Sequence, residues 1–184
     1  IVKLIKMSKT DNFVFKGLVI VAWIIFVGLC IESGALIVNF IYSMFKPEII
    51  SKLYQKLDLS EMHQKSEFAF YSMYSLILAI SVLKAVMFYA VVILVTKMDL
   101  SKPFNEFVSK KILQISYFTF SIGFLSYIAK EITRNLSKHG FNISNLDQFW
   151  GDSQAFILMG AVIYMIAVIF KKGIELQNEN DLTV

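Results

Sequence analysis

"GLVIVAWIIFVGLCIESGALIVNFIYSMF", residues 17–45, contains one charged side chain, Glu32. At the α-helical rise this stretch extends about 43 Å, against roughly 30 Å of hydrocarbon in a bilayer. It is apolar all round rather than on one face, so it reads as a membrane span that tilts or protrudes. A cleaved signal peptide has an apolar run of only about 7–15 residues, so this segment is expected to be retained. Leu29 before Cys30 also departs from the small residue a lipoprotein cleavage box requires.

Three more apolar segments follow: 68–96, broken only by Lys84; 112–130; and 153–172, which ends on Lys171 and Lys172. The fourth is short, and Phe149 and Trp150 are placed at its interface with water. The sequence therefore predicts an all-α integral membrane protein: one domain over 1–184, a four-helix transmembrane bundle, and a polar tail over 173–184. Hydrophobic residues make up 57% and charged residues 17% of the chain, against roughly 45–50% and 25% in soluble domains. A single small core does not hide that much apolar surface, whereas a lipid-facing surface removes the need. The net charge of +4 is spread over the flanks of the apolar runs, so direct nucleic-acid binding is not expected. Cys30 has no second cysteine to pair with.

The connections carry their own signals. Ile49, Ile50, Leu53 and Leu57 recur at helical spacing between Lys52 and Lys56, which predicts a short amphipathic helix on the membrane surface. Pro103 marks a tight link, and Asn105 is the expected N-cap of a helix starting at Glu106. Residues 1–6 precede Met7, and "MSKTDNF" reads as an N-terminus. Four spans put both ends on one side, with Lys3, Lys6, Lys9, Lys16, Lys97, Lys102, Lys110, Lys111, Lys171 and Lys172. Lys46, Lys52, Lys56, Lys65, Lys130, Arg134 and Lys138 fall on the other. The richer side is expected to be cytoplasmic.

Glu32 and Lys84 hold matching positions in antiparallel runs, near mid-depth by this count. A charge at the bilayer centre costs about 2.5–3.5 kcal/mol on insertion scales, so the expectation is that Glu32 and Lys84 pair inside the bundle. Small and polar residues suggest the inward faces: Gly28, Glu32, Ala35 and Asn39; Ser81, Lys84 and Ala85; Gln114, Tyr117 and Ser121; Gly160, Tyr164 and Ala167. No metal-binding, phosphate-binding or nucleophile motif occurs, and His63 and His139 lie in different connections. The expectation is a non-enzymatic protein without catalytic residues, metal or cofactor.

Two stretches carry a family resemblance. "DSQAFILMGAVIYMIAVIFKKGIELQNENDLTV" and "DLSKPFNEFVSKKILQIS" are similar to elements of the bacterial multi-pass membrane family called domain of unknown function (DUF) 2975. The resemblance implies a bacterial inner membrane and a partner, a small helix-turn-helix DNA-binding regulator. It supplies no reaction. The surfaces it points to are cytoplasmic: Lys110, Lys111, Lys171, Lys172, Glu175, Gln177, Glu179 and Asp181. The reading is a regulatory component that docks such a protein; the alternative is a small transporter or an immunity-type membrane protein.

Overall fold

A computed structural model describes residues 9–46, 48, 50, 57–100, 103–143 and 146–181. The order of elements is α1 (Lys9–Phe45), α2 (Ser60–Lys65), α3 (Glu67–Lys97), α4 (Glu106–Lys138), α5 (Asp147–Trp150) and α6 (Ser153–Asp181). No strand occurs among the described residues. The segments Phe13–Phe45, Glu67–Lys97, Glu106–Lys138 and Asp147–Glu179 are each long and apolar enough to cross a membrane. Helices suit that setting because each satisfies its own backbone hydrogen bonds where no water is present.

Local chemistry sets the ends. The Ser66 hydroxyl accepts from the Ala69 N–H (3.2 Å) at the start of α3, and the Asn105 side chain accepts from Val108 N–H (3.0 Å) at the start of α4. The cap expected at Asn105 is therefore formed. At the far end of α4, Gly140 takes φ +80°. Its N–H donates to the Ser137 carbonyl (3.0 Å), and the Phe141 N–H to that of Leu136 (3.2 Å). This is a Schellman motif, and its left-handed residue is best supplied by glycine.

The long helices pack in chain order: α1 on α3, α3 on α4, and α4 most extensively on α6. On α1 the packed line is Ala22, Phe26, Leu29, Ser33, Leu36, Phe40 and Ser43, an alternating 4-and-3 spacing. It lies beside the expected Gly28–Asn39 stripe; Gly28 is exposed, while Glu32, Ala35 and Asn39 are half-buried. On α4 the expected face is overturned. Gln114, Tyr117 and Ser121 are exposed, and Ile115, Ser116, Thr119, Ile122, Gly123, Ser126 and Ala129 are buried. The reason is that α4 has a neighbour on two sides and must keep its small residues there. A Cβ at Gly123 would lie 2.7 Å from Ile157 Cγ1 and 2.8 Å from its backbone N. One at Gly160 would lie 3.0 Å from the Phe120 ring. On α6, Gly160 and Ala167 face inward as expected, whereas Tyr164 is exposed.

The contacts also fix the levels. Leu36 meets Tyr74, Phe26 meets Tyr89, Thr119 meets Met87, and Ser116 meets Gly160. Residues 153–172 of α6 thus lie beside about 106–126 of α4, 80–99 of α3 and 13–32 of α1. At 1.5 Å per residue, each segment is about 30 Å, one hydrocarbon thickness. Past the start of α6, the ends of α1, α3 and α4 build a cap with α2 and α5. The cap holds most of the fully buried core, including Leu36, Leu57, Met62, Phe70, Met73, Tyr74 and Leu146. Residues 51–56, with Lys52, Leu53 and Lys56 of the expected amphipathic helix, lie outside the described residues. Its flanking Ile50 and Leu57 are buried in this core, not laid on a surface.

Gly123→Ala is expected to lower stability by about 1–3 kcal/mol, because its methyl group has nowhere to go against the backbone of α6. Gly28→Ala, where a Cβ meets nothing within 4 Å, is expected to be neutral or stabilising. Thermal unfolding of the two variants in detergent compares them directly.

Candidate functional site

Glu32 and Lys84 come first, since their charges are the hardest to place. Register puts Glu32 of α1 near Ile80 of α3, level with the start of α6. Lys84 points elsewhere: its Nζ donates to the Phe149 carbonyl of α5 (3.5 Å) and sits 5.9 Å from the centre of the Phe156 ring of α6. No ion pair joins Glu32 to Lys84 among the described residues, whose ion pairs are Lys65–Glu61, Lys110–Glu106, Arg134–Glu131 and Lys172–Glu175. The expected pair is thus not formed among the described residues, the Lys84 ammonium being turned to α5 and α6 instead.

The other ends of α4 and α6 form a second place of interest. α4 leaves the α3–α4 link as α6 arrives, so the basic start of one helix faces the charged end of the other. Two adjoining clefts lie between them. One, of about 290 Å³, is lined by Leu113, Tyr117, Tyr164, Ala167, Lys171 and Lys172, among others. The other, of about 430 Å³, is lined by Glu106, Lys110, Ile174 and Asn178 among others; Ser109, Leu113, Lys171 and Glu175 line both. Charges here are paired locally: Lys110 with Glu106 (2.7 Å) and Lys172 with Glu175 (2.7 Å). Both pairs are exposed and contribute little to stability. Lys171 makes no ion pair within this set, so its ammonium is one donor open to a partner.

Of the expected docking residues, the structure brings Lys110, Lys171, Lys172 and Glu175 together. Lys111 instead donates to the Gln114 side chain (2.8 Å). Gln177 and Glu179 are exposed further along α6, and Asp181 is its last residue. Glu106, Ser109, Tyr117, Tyr164 and Asn178 were missed. Their signal was the 3-and-4 spacing of 106, 109, 113 and 117, legible only once α6 is known to run antiparallel beside it.

The link itself is seated on α6. Phe104 packs against Phe170 with ring centres 5.0 Å apart, and a Cβ at Gly173 would lie 2.9 Å from the Phe104 ring. The "PF" and "KKGIELQ" stretches, distant in sequence, are therefore in contact. No group of three or more His, Cys, Asp or Glu suited to a metal occurs among the described residues.

Residues 54–184 match the family described as Protein of unknown function (DUF2975), and the chain belongs to that family. No curated protein and no solved structure matches it. The contact between Phe104 and Gly173 gives the two family-like stretches a shared physical role: each completes the packing of the other.

If Lys84 and Glu32 act independently, a double-mutant cycle with Glu32→Gln and Lys84→Met will be additive within about 0.5 kcal/mol. A coupling well above that value in detergent unfolding would restore the ion pair.

Proposed function

We propose that this multi-pass membrane protein is a non-enzymatic signalling component that works by protein contact at the end where α4 begins and α6 finishes. The observation that supports this most is the pair of clefts there, with charges of both signs on two rigid helices and Lys171 open to a partner. Rigid helical presentation lowers the ordering cost of binding. In this reading the end is cytoplasmic, since Lys97, Lys110, Lys111, Lys171 and Lys172 cluster on it and basic residues are retained inside. The membrane is the bacterial inner membrane, and the partner is a small helix-turn-helix DNA-binding regulator, both as the family resemblance implies. The cap on the opposite side, with its own core, then has the position of a receiver.

Reading a transport path into this chain has less support. α4 and α6 meet through Gly123 and Gly160 with little room between them, and the clefts between their ends stand open to the outside.

The docking reading is tested by placing a photo-crosslinking residue at Asn178 and isolating adducts from membranes. A small DNA-binding protein is expected, and Lys171→Glu or removal of residues 177–184 is expected to reduce its yield about tenfold without lowering the amount of inserted protein. Recovery of the same adducts from both variants would refute docking at this end. A reporter fused after Val184 is expected to be active only as a cytoplasmic fusion.

A further inference from the structure

Three buried polar groups at the foot of the cap have no hydrogen-bond partner: the Ser81 hydroxyl, the Trp150 indole N–H and the Ser153 hydroxyl. Trp150 is 2% exposed and Ser153 1%. Both line a small cavity of about 30 Å³. Lys84 lines it too, its ammonium held only by the long contact to the Phe149 carbonyl and by the Phe156 ring. The wall is completed in part by Gly151 and Asp152, which lead into the first turn of α6. The free N–H groups there carry the positive end of the helix dipole. The cavity therefore collects an ammonium, an indole N–H, a hydroxyl and a helix N-terminus.

Unpartnered buried donors call for a water or an ion. Charge separates the two. Water satisfies the N–H and O–H groups but leaves the partly buried ammonium without a counter-charge, which is the costly component. The nearby carboxylates form no ion pair with it: Asp152, which itself lines the cavity, and Asp147 on α5 are exposed, and neither they nor Glu32 pairs with Lys84 among the described residues. Size limits the choice. About 10–15 Å³ holds one water, so the cavity suits a single small ion and excludes a phosphate ester. We propose that this cavity binds one monovalent anion of halide size, held by Lys84 Nζ, the Trp150 indole N–H and the Ser153 hydroxyl.

Trp150 makes the site observable. In the full chain carrying Trp23→Phe, in detergent, bromide is titrated against gluconate at constant ionic strength while Trp150 emission is followed. Saturable quenching is expected, reversed by chloride, which competes without quenching, and unaffected by gluconate. Ser153→Ala is expected to weaken binding about tenfold and Lys84→Met to remove saturation. Thermal unfolding identifies any variant that fails to fold, and Ser153→Ala then carries the test alone. Quenching that rises without saturation, or is the same in Ser153→Ala, would show a cavity filled by water only and overturn the proposal. Saturation seen only in Asp152→Asn would overturn it as well, by identifying Asp152 as the counter-ion of Lys84.

Discussion

A polar group carried into a layer without water must find its partner on its own helix or across one interface. That constraint accounts for much of the packing here. Among the lipid-facing segments, Thr119 donates to the Ile115 carbonyl (2.7 Å), and Ser116 reaches across to the Gly160 carbonyl (3.0 Å). The buried ends of the helices follow the same rule: Ser33 donates to the Leu29 carbonyl (2.8 Å), Ser43 to that of Phe40 (2.7 Å) and Thr133 to that of Ala129 (2.7 Å), each within one turn of its own helix. There Tyr74 reaches across to the Leu36 carbonyl (3.1 Å). The Ser116 bond is possible because Gly160 and Gly123 let α4 and α6 approach closely. Small residues at such a crossing gain dispersion contacts and hydrogen bonds where burial of apolar surface adds nothing, since lipid is as apolar as leucine.

The exceptions to that constraint gather in one place. Ser81, Trp150 and Ser153 sit at or near the level where α6 begins and α5 returns the chain toward α3, with Lys84 beside them. This is also the level where the core of the cap begins. Above it the core is of a familiar kind, built from Phe70, Met73, Ile77 and Leu57 with aromatic contacts such as Phe40–Tyr74 at 5.0 Å. Below it the helices are joined by small residues, and their outer faces carry exposed Leu158, Val162 and Ile169 on α6 and Phe124 on α4. Two packing regimes thus meet in one continuous set of helices. The long α1 and α3 belong to both.

That other end has a different character. Phe104 locks the α3–α4 link onto Gly173, and the charged residues of the two helices face one another over open clefts. The family-like stretches account for the geometry of this end, whereas the cap depends in part on the end of α1, ahead of the matched region.

Reading the chain in one dimension revealed the four long apolar segments, their basic flanks, the cap at Asn105 and the absence of any familiar catalytic pattern. These follow from composition and short-range chemistry, which act within a helical turn or over one span. Facing was not legible in the same way. Gln114, Tyr117 and Ser121 looked like an inward stripe and point outward, because a lipid-exposed helix lacks the polar-outside contrast that reveals a face in water. Composition and local signals therefore decided that the chain is helical and lives in a membrane. Only the packing of α1 on α3, α3 on α4 and α4 on α6 decided which side chains meet, because register and rotation depend on contacts between residues far apart in the chain.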